Sequence, residues 1–167
     1  MKQSNAPFID AHVHIRDVRG LDSVAAAGIV AVRDAGTRDG IGLEIVRSCE
    51  RRQVPVIVSS GRALYNKGGY GSRIGVPMAN RGDIESEIQN LKNAGAGIIK
   101  VIASGLVSFS MPGTVTAGGF TPEDLAYIVQ YAAACGLGVM AHANGEEAII
   151  ASVESGVRSL EHGFFMT

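Results

Sequence analysis

Six short apolar runs recur along the 167-residue chain, and segments of helical spacing stand between them. The runs are "FIDAHVHI" (8–15), "GIVAVRDAG" (28–36), "VPVIVSSG" (54–61), "GIIKVIASG" (97–105), "GLGVMAHANG" (136–145) and "GVRSLEHG" (156–163). Runs of this length between turn residues read as strands. The spacing predicts helices over about 20–27, 41–52, 83–95, 121–136 and 145–155. In "TPEDLAYIVQYAAACG", Thr121 suits the cap, Pro122 the first turn and Gly136 the stop. Strands alternating with helices mean βα units on a parallel sheet, and strands apolar on both faces mean helices outside and a filled interior. No composition break divides the chain, so one domain over 1–167 is expected. Two long segments, 61–82 and 104–120, follow strands and are expected to be loops. Loops after strand C-terminal ends are where such sheets keep ligand sites.

Composition excludes several functions. The net charge is −1, with no basic block for nucleic acid or an anionic membrane. No apolar run reaches membrane-spanning length, and "MKQSNAP" is not a signal sequence. Cys49 and Cys135 show no CxxC spacing, so buried thiols in a reducing cytoplasm are expected.

The polar residues in the apolar runs point to chemistry. The chain has four histidines, His12, His14, His142 and His162, and each lies in or at the end of a strand run. Asp10, His12 and His14 alternate, so they share one strand face. Lys100 sits among Ile98, Ile99, Val101 and Ile102, where a bare ammonium is costly. One strand-end histidine is usually a hydrogen-bonded core residue, and one strand lysine can snorkel. All of them on strands one, four, five and six of one βα series instead predicts a metal site at the rim where strand ends converge. Arg62, Tyr65, Tyr70 and Arg73, on the loop after strand three, are candidates to bind a substrate carboxylate. Glu146 and Glu147 open a helix, where they favour its positive end.

"PFIDAHVHI", "AVRDAGT", "GIIKVIASG", "VMAHANGEEAI" and "SLEHGF" together resemble the amidohydrolase superfamily, in its imidazolonepropionase-like and Xaa-Pro dipeptidase-like branch. The resemblance covers nearly the whole chain, from Pro7 to Phe165. It implies an α/β fold of the TIM-type (βα)8 barrel, here an incomplete barrel of about six βα strands. It also implies one or two divalent metals per site, zinc above all. His12 and His14 would bind the more buried metal and His142 and His162 the more exposed one. Lys100 would be carboxylated by CO₂ and bridge both through its carbamate. Asp10 would orient ligands from behind. A hydroxide bridging the metals would attack the carbonyl of a small-molecule amide or cyclic amide.

The chain departs from that pattern in three places. It holds no strand-eight aspartate, the family's proton shuttle, and Asp34 on strand two does not replace it by position. Nor does it begin with the usual N-terminal β-sandwich segment. "KGGYGS" has Tyr70 where the dipeptidase-like branch often has histidine. The expectation is therefore part of a longer chain, or a homo-oligomer. A catalytically inactive metal-binding or oligomer-forming fragment is the alternative reading. An unrelated phosphate-binding barrel is a third, but "KGGYGS" and "TAGGF" lack Walker spacing.

Overall fold

A computed structural model describes residues 7–49 and 55–166. The order is β1 (Phe8–Val13), α1 (Arg19–Ala26), β2 (Ile29–Asp34), α2 (Ile41–Ser48), β3 (Val56–Ser59), β4 (Ala63–Asn66), β5 (Gly75–Met78), α3 (Arg81–Asn93), β6 (Ile98–Ile102), α4 (Pro122–Ala134), β7 (Gly138–Ala143), α5 (Glu146–Glu154) and β8 (Ser159–His162). All six expected strands and all five expected helices are present. Helix α2 stops earlier than its spacing suggested; positions 50–52 of that helix and Val54 of the third run lie outside the described residues.

Local chemistry accounts for the helix boundaries. Thr121 accepts a hydrogen bond from the Asp124 backbone N–H, and Asn80 does the same for Asp83. Helices α3, α4 and α5 end alike. After α3, Gly95 N–H donates to the Lys92 carbonyl and Ala96 N–H to Leu91; Gly136 with Leu137, and Gly156 with Val157, repeat this pair of bonds. The glycine stands at positive φ each time, the left-handed closure that turns a helix back toward the sheet.

The segment 61–82 differs from the loop expected of it, because it contains β4 and β5. All pairing among named strands is parallel, in two sheets ordered β1-β2-β3 and β5-β4-β6-β7-β8. Strands β3 and β4 are two halves of one bent strand, the first bonded to β2 and the second to β6. The bend falls at Gly61, whose φ is 68°; a Cβ there would lie 2.6 Å from Leu43 Cδ1. Ser60 N–H donates to Asp34 O and Gly97 N–H to Ser59 O, so the two sheets continue into one another around the bend. This is a (βα)8-type sheet, curled but incomplete.

On β6 every residue is buried. Ile99 and Val101 face the core shared with Ile88, Leu125 and Ile128 of the helices. Ile98, Lys100 and Ile102 face inward, beside Met140 and Ala63. The lysine is thus on the concave side of the sheet. Cys49 and Cys135 are free thiols, half-buried rather than buried.

Candidate metal centre

The four histidines and Lys100 meet at the C-terminal rim of this concave face. They line one cavity of about 350 Å³ together with Tyr70, Ile74, Leu106, Val107, Phe109, Asn144 and Phe164. Ring centroids are 5.4 Å apart for His12 and His14, 5.0 Å for His12 and His162, and 4.7 Å for His142 and His162. Lys100 and His142 are buried, whereas His14 and His162 are open to solvent.

Hydrogen bonds orient three of the rings. His12 Nδ1 donates to Glu161 Oε2 at 2.5 Å, and His14 Nδ1 donates to the Gly36 carbonyl at 2.5 Å. Both rings are left with Nε2 for another partner. His142 Nε2 donates to the Gly105 carbonyl at 2.9 Å, which leaves its Nδ1. Asp10 accepts from the backbone N–H of His12, so it holds the strand rather than the ring. The carboxylate on the ring is Glu161, which sequence reasoning did not single out. Its partners explain its burial: Oε1 accepts from Arg33 Nη2 at 2.8 Å and from Ser159 Oγ at 2.9 Å. Neighbouring strand residues normally point to opposite faces. Glu161 and His162 both reach His12 because His162 leaves the extended conformation, with φ at 71°. For a residue other than glycine that geometry costs about 1–3 kcal/mol and persists only where its surroundings enforce it.

The electrostatics favour neutral imidazoles. Burial lowers the Lys100 amine to about 8; Glu161 opposes that shift and Arg33 adds to it. Burial likewise lowers His12 and His142, with the Lys100 charge adding to both. His162, exposed as a residue but with its ring partly covered, falls to about 4 through that partial burial and then the charges of His142, Lys100 and His12. Burial alone would raise the Glu161 carboxyl; its bonds from His12 and Ser159, with the Lys100 and Arg33 charges, bring it below the usual range.

Lys100 Nζ is buried and has no hydrogen-bond partner among the described residues. Such an orphan costs about 1–3 kcal/mol. Among the described residues no group of three or more His, Cys, Asp or Glu side chains is arranged to hold a metal ion. The donor chemistry still fits one. Imidazole nitrogens suit zinc and its neighbours, and the Lys100 amine beside them, lowered to about 8, gives up its proton more readily than an ordinary lysine.

Of the four loop candidates, Tyr70 alone joins the cavity, with its ring 5.6 Å from that of His142. Arg62 is held by Glu87 of α3 through two hydrogen bonds of 3.0 Å. Tyr65 packs against Ala63 and Ile102. Arg73 lines a separate cleft with Arg16, Thr37, Arg38, Asp39 and Ile41. Asp34 is fully buried and accepts from Ile15 N–H, Gly36 N–H and Ser59 Oγ, a structural role.

The sequence matches the Amidohydrolase family over residues 6–167. The chain belongs to the amidohydrolase family. It is 29% identical over 174 residues to the ochratoxinase of Aspergillus niger, covering 88% of this chain and 35% of that protein. It superimposes on a prolidase solved with N-methylphosphonate-L-proline at a TM-score of 0.81 and 27% identity, covering 96% of this chain and 48% of that one. A Xaa-Pro dipeptidase with bound methionine in its active site shares the fold, at a TM-score of 0.76 and 21% identity, over 48% of its chain. This amidohydrolase chain therefore spans about half or less of the length of these relatives. Among its described residues, no helix is long and apolar enough to cross a membrane.

Proposed function

We propose that the chain supplies the metal-holding rim of a hydrolase that cleaves amide-type C–N bonds of small molecules. The observation that carries this reading is Lys100: an orphaned buried amine, lowered to about 8, among four imidazoles at one end of a parallel sheet. In its neutral form the Lys100 amine adds to CO₂, forming an N–C bond and releasing one proton. The resulting carbamate gives an apolar strand an anion with two oxygen donors. His12 and His14 would offer Nε2, and His142 its Nδ1, to ions held beside it. When bound there, one or two zinc or similar divalent ions supply Lewis acidity and bring water's pKa near neutrality. Leu106, Val107, Phe109 and Phe164 line the cavity beside the rings and suit an apolar substituent next to the scissile amide.

Arg16, Arg38 and Arg73 give the neighbouring cleft three positive charges against the one carboxylate of Asp39. A substrate carboxylate suits that cleft. Protonation of the leaving group is assigned to a residue outside these 167, in a longer polypeptide or a second copy. That the described residues hold no ready three-ligand group favours one other reading, a metal-binding piece without turnover of its own.

Zinc titration in the presence of ¹³C-bicarbonate tests the proposal. The expected result is zinc uptake with a carbamate carbon resonance, both lost in Lys100→Ala. A Lys100→Ala chain that keeps two tightly bound metals would overturn the bridging role. Metal uptake by a longer polypeptide or assembly containing this chain that still cleaves no amide would select the inactive reading.

A further inference from the structure

The proposed chemistry leaves unused an ion pair between the half-buried Arg33 and the buried Glu161. Glu161 lies on β8 and Arg33 on β2, and their side chains meet at 2.8 Å. Glu161 is 6% exposed, and among the described residues its side-chain hydrogen bonds come from three: Ser159 and Arg33 on one oxygen, His12 on the other. Arg33 is itself fixed, because its Nε donates to the Ala11 carbonyl at 2.8 Å while its Nη2 donates to Glu161. Ala11 directly precedes His12, so the guanidinium holds both the strand that carries this imidazole and the carboxylate that meets it.

An imidazole that can present either nitrogen serves a cation poorly. A carboxylate fixed on one nitrogen selects the tautomer and the ring plane, and raises the basicity of the other nitrogen. We propose that Glu161, clamped by Arg33 and Ser159, is the positioning residue that locks His12 as the Nδ1–H tautomer with Nε2 toward the cavity. Its value for metal binding rests on the hydrolase reading above; the tautomer itself does not. With the proton on Nε2 instead, Nδ1 would have nothing to donate to Glu161, so a merely structural tie between β1 and β8 fixes the same tautomer, and zinc affinity with its rescue by Glu161→Gln is the readout that separates the two roles.

The test is ¹⁵N NMR of the histidine ring nitrogens in the metal-free 167-residue chain, followed by zinc competition with a chelator. In the wild type, His12 is expected as the Nδ1–H form. Glu161→Gln retains a carbonyl acceptor, so it should keep that tautomer and most of the zinc affinity. Glu161→Ala should release the ring to the other tautomer or a mixture and weaken zinc by about 10–100-fold. Amide spectra that match the wild type outside the cavity establish that both variants fold. A wild-type His12 protonated on Nε2 overturns the proposal without any variant. So does Glu161→Ala with an unchanged tautomer, or Glu161→Gln with losses equal to those of the alanine. A wild type with the expected tautomer and no zinc uptake would instead sink the hydrolase reading and leave the positioning role standing.

Discussion

In the five-stranded sheet, Leu64, Ile99, Val101, Val139 and Ala141 pack against Ile84, Ile88, Leu91, Leu125 and Ile128, all at most 2% exposed. In the three-stranded sheet, the corresponding cluster has, among the described residues, four buried members, Ile15, Leu21, Val32 and Ile45. Phe8, Ile9 and Val56 of its strands are more than half exposed. Yet each half supplies part of the candidate centre: Lys100, His142 and His162 come from the first, His12 and His14 from the second. The two halves are held by different physics. Dense apolar packing fixes β6 and β7. Polar tethers fix β1, where Asp34 gathers three donors, Gly36 takes the His14 ring, and Glu161 with Arg33 takes the His12 ring and the backbone before it. Such a network is rigid when complete and costly when one member goes.

The strongest way to break this comparison is Asp34→Ala. It orphans buried donors at about 1–3 kcal/mol each. Hydrogen exchange should accelerate across β1 to β3 while β6 and β7 stay protected. Uniform acceleration would mean that the two halves do not differ. Ile128→Ala, in the other half, should cost about 2–5 kcal/mol. It should lower protection everywhere, because α4 covers the sheet that the rest leans on; urea denaturation measures the loss.

Lys100→Met should move stability the other way. Removing the orphaned amine relieves about 1–3 kcal/mol in the metal-free chain, although zinc uptake disappears. A destabilised Lys100→Met would show that the amine has a partner in solution.

The histidines sharpen the contrast through pH. Burial holds His12 and His142 below the ordinary 6.5 and His162 at about 4. The folded chain therefore binds fewer protons than the unfolded chain in that window. The stability these groups contribute is complete above pH 6.5 and is lost as pH falls toward about 4. Thermal midpoints of metal-free protein should fall over that range, and His162→Gln should flatten part of the fall. The smallest effect on stability is expected from Arg73→Met, within about 0.5 kcal/mol because the side chain is exposed. In the active enzyme it should raise KM for carboxylate-bearing amides several-fold and leave kcat nearly unchanged. Equal loss with uncharged amides would remove the cleft from substrate binding.

Period and punctuation alone determined much of this protein. Apolar runs broken by glycine define the strands, and the Thr121 and Gly136 signals bound α4. The placement of every histidine in or beside a strand end makes the rim legible from the residues themselves. These are local rules, readable within a few residues. Tertiary structure decided what local rules do not encode. Strands β4 and β5 form inside a glycine-rich stretch because β6 and the Gly61 bend give them pairing partners. Arg62 leaves the rim because Glu87, 25 residues later, holds it. Glu161 reaches His12 across 149 residues, through the curl of the sheet and a positive φ at His162 that alternation would not foresee. Strand order and curvature choose such partners, and neither is written in the spacing of any one segment.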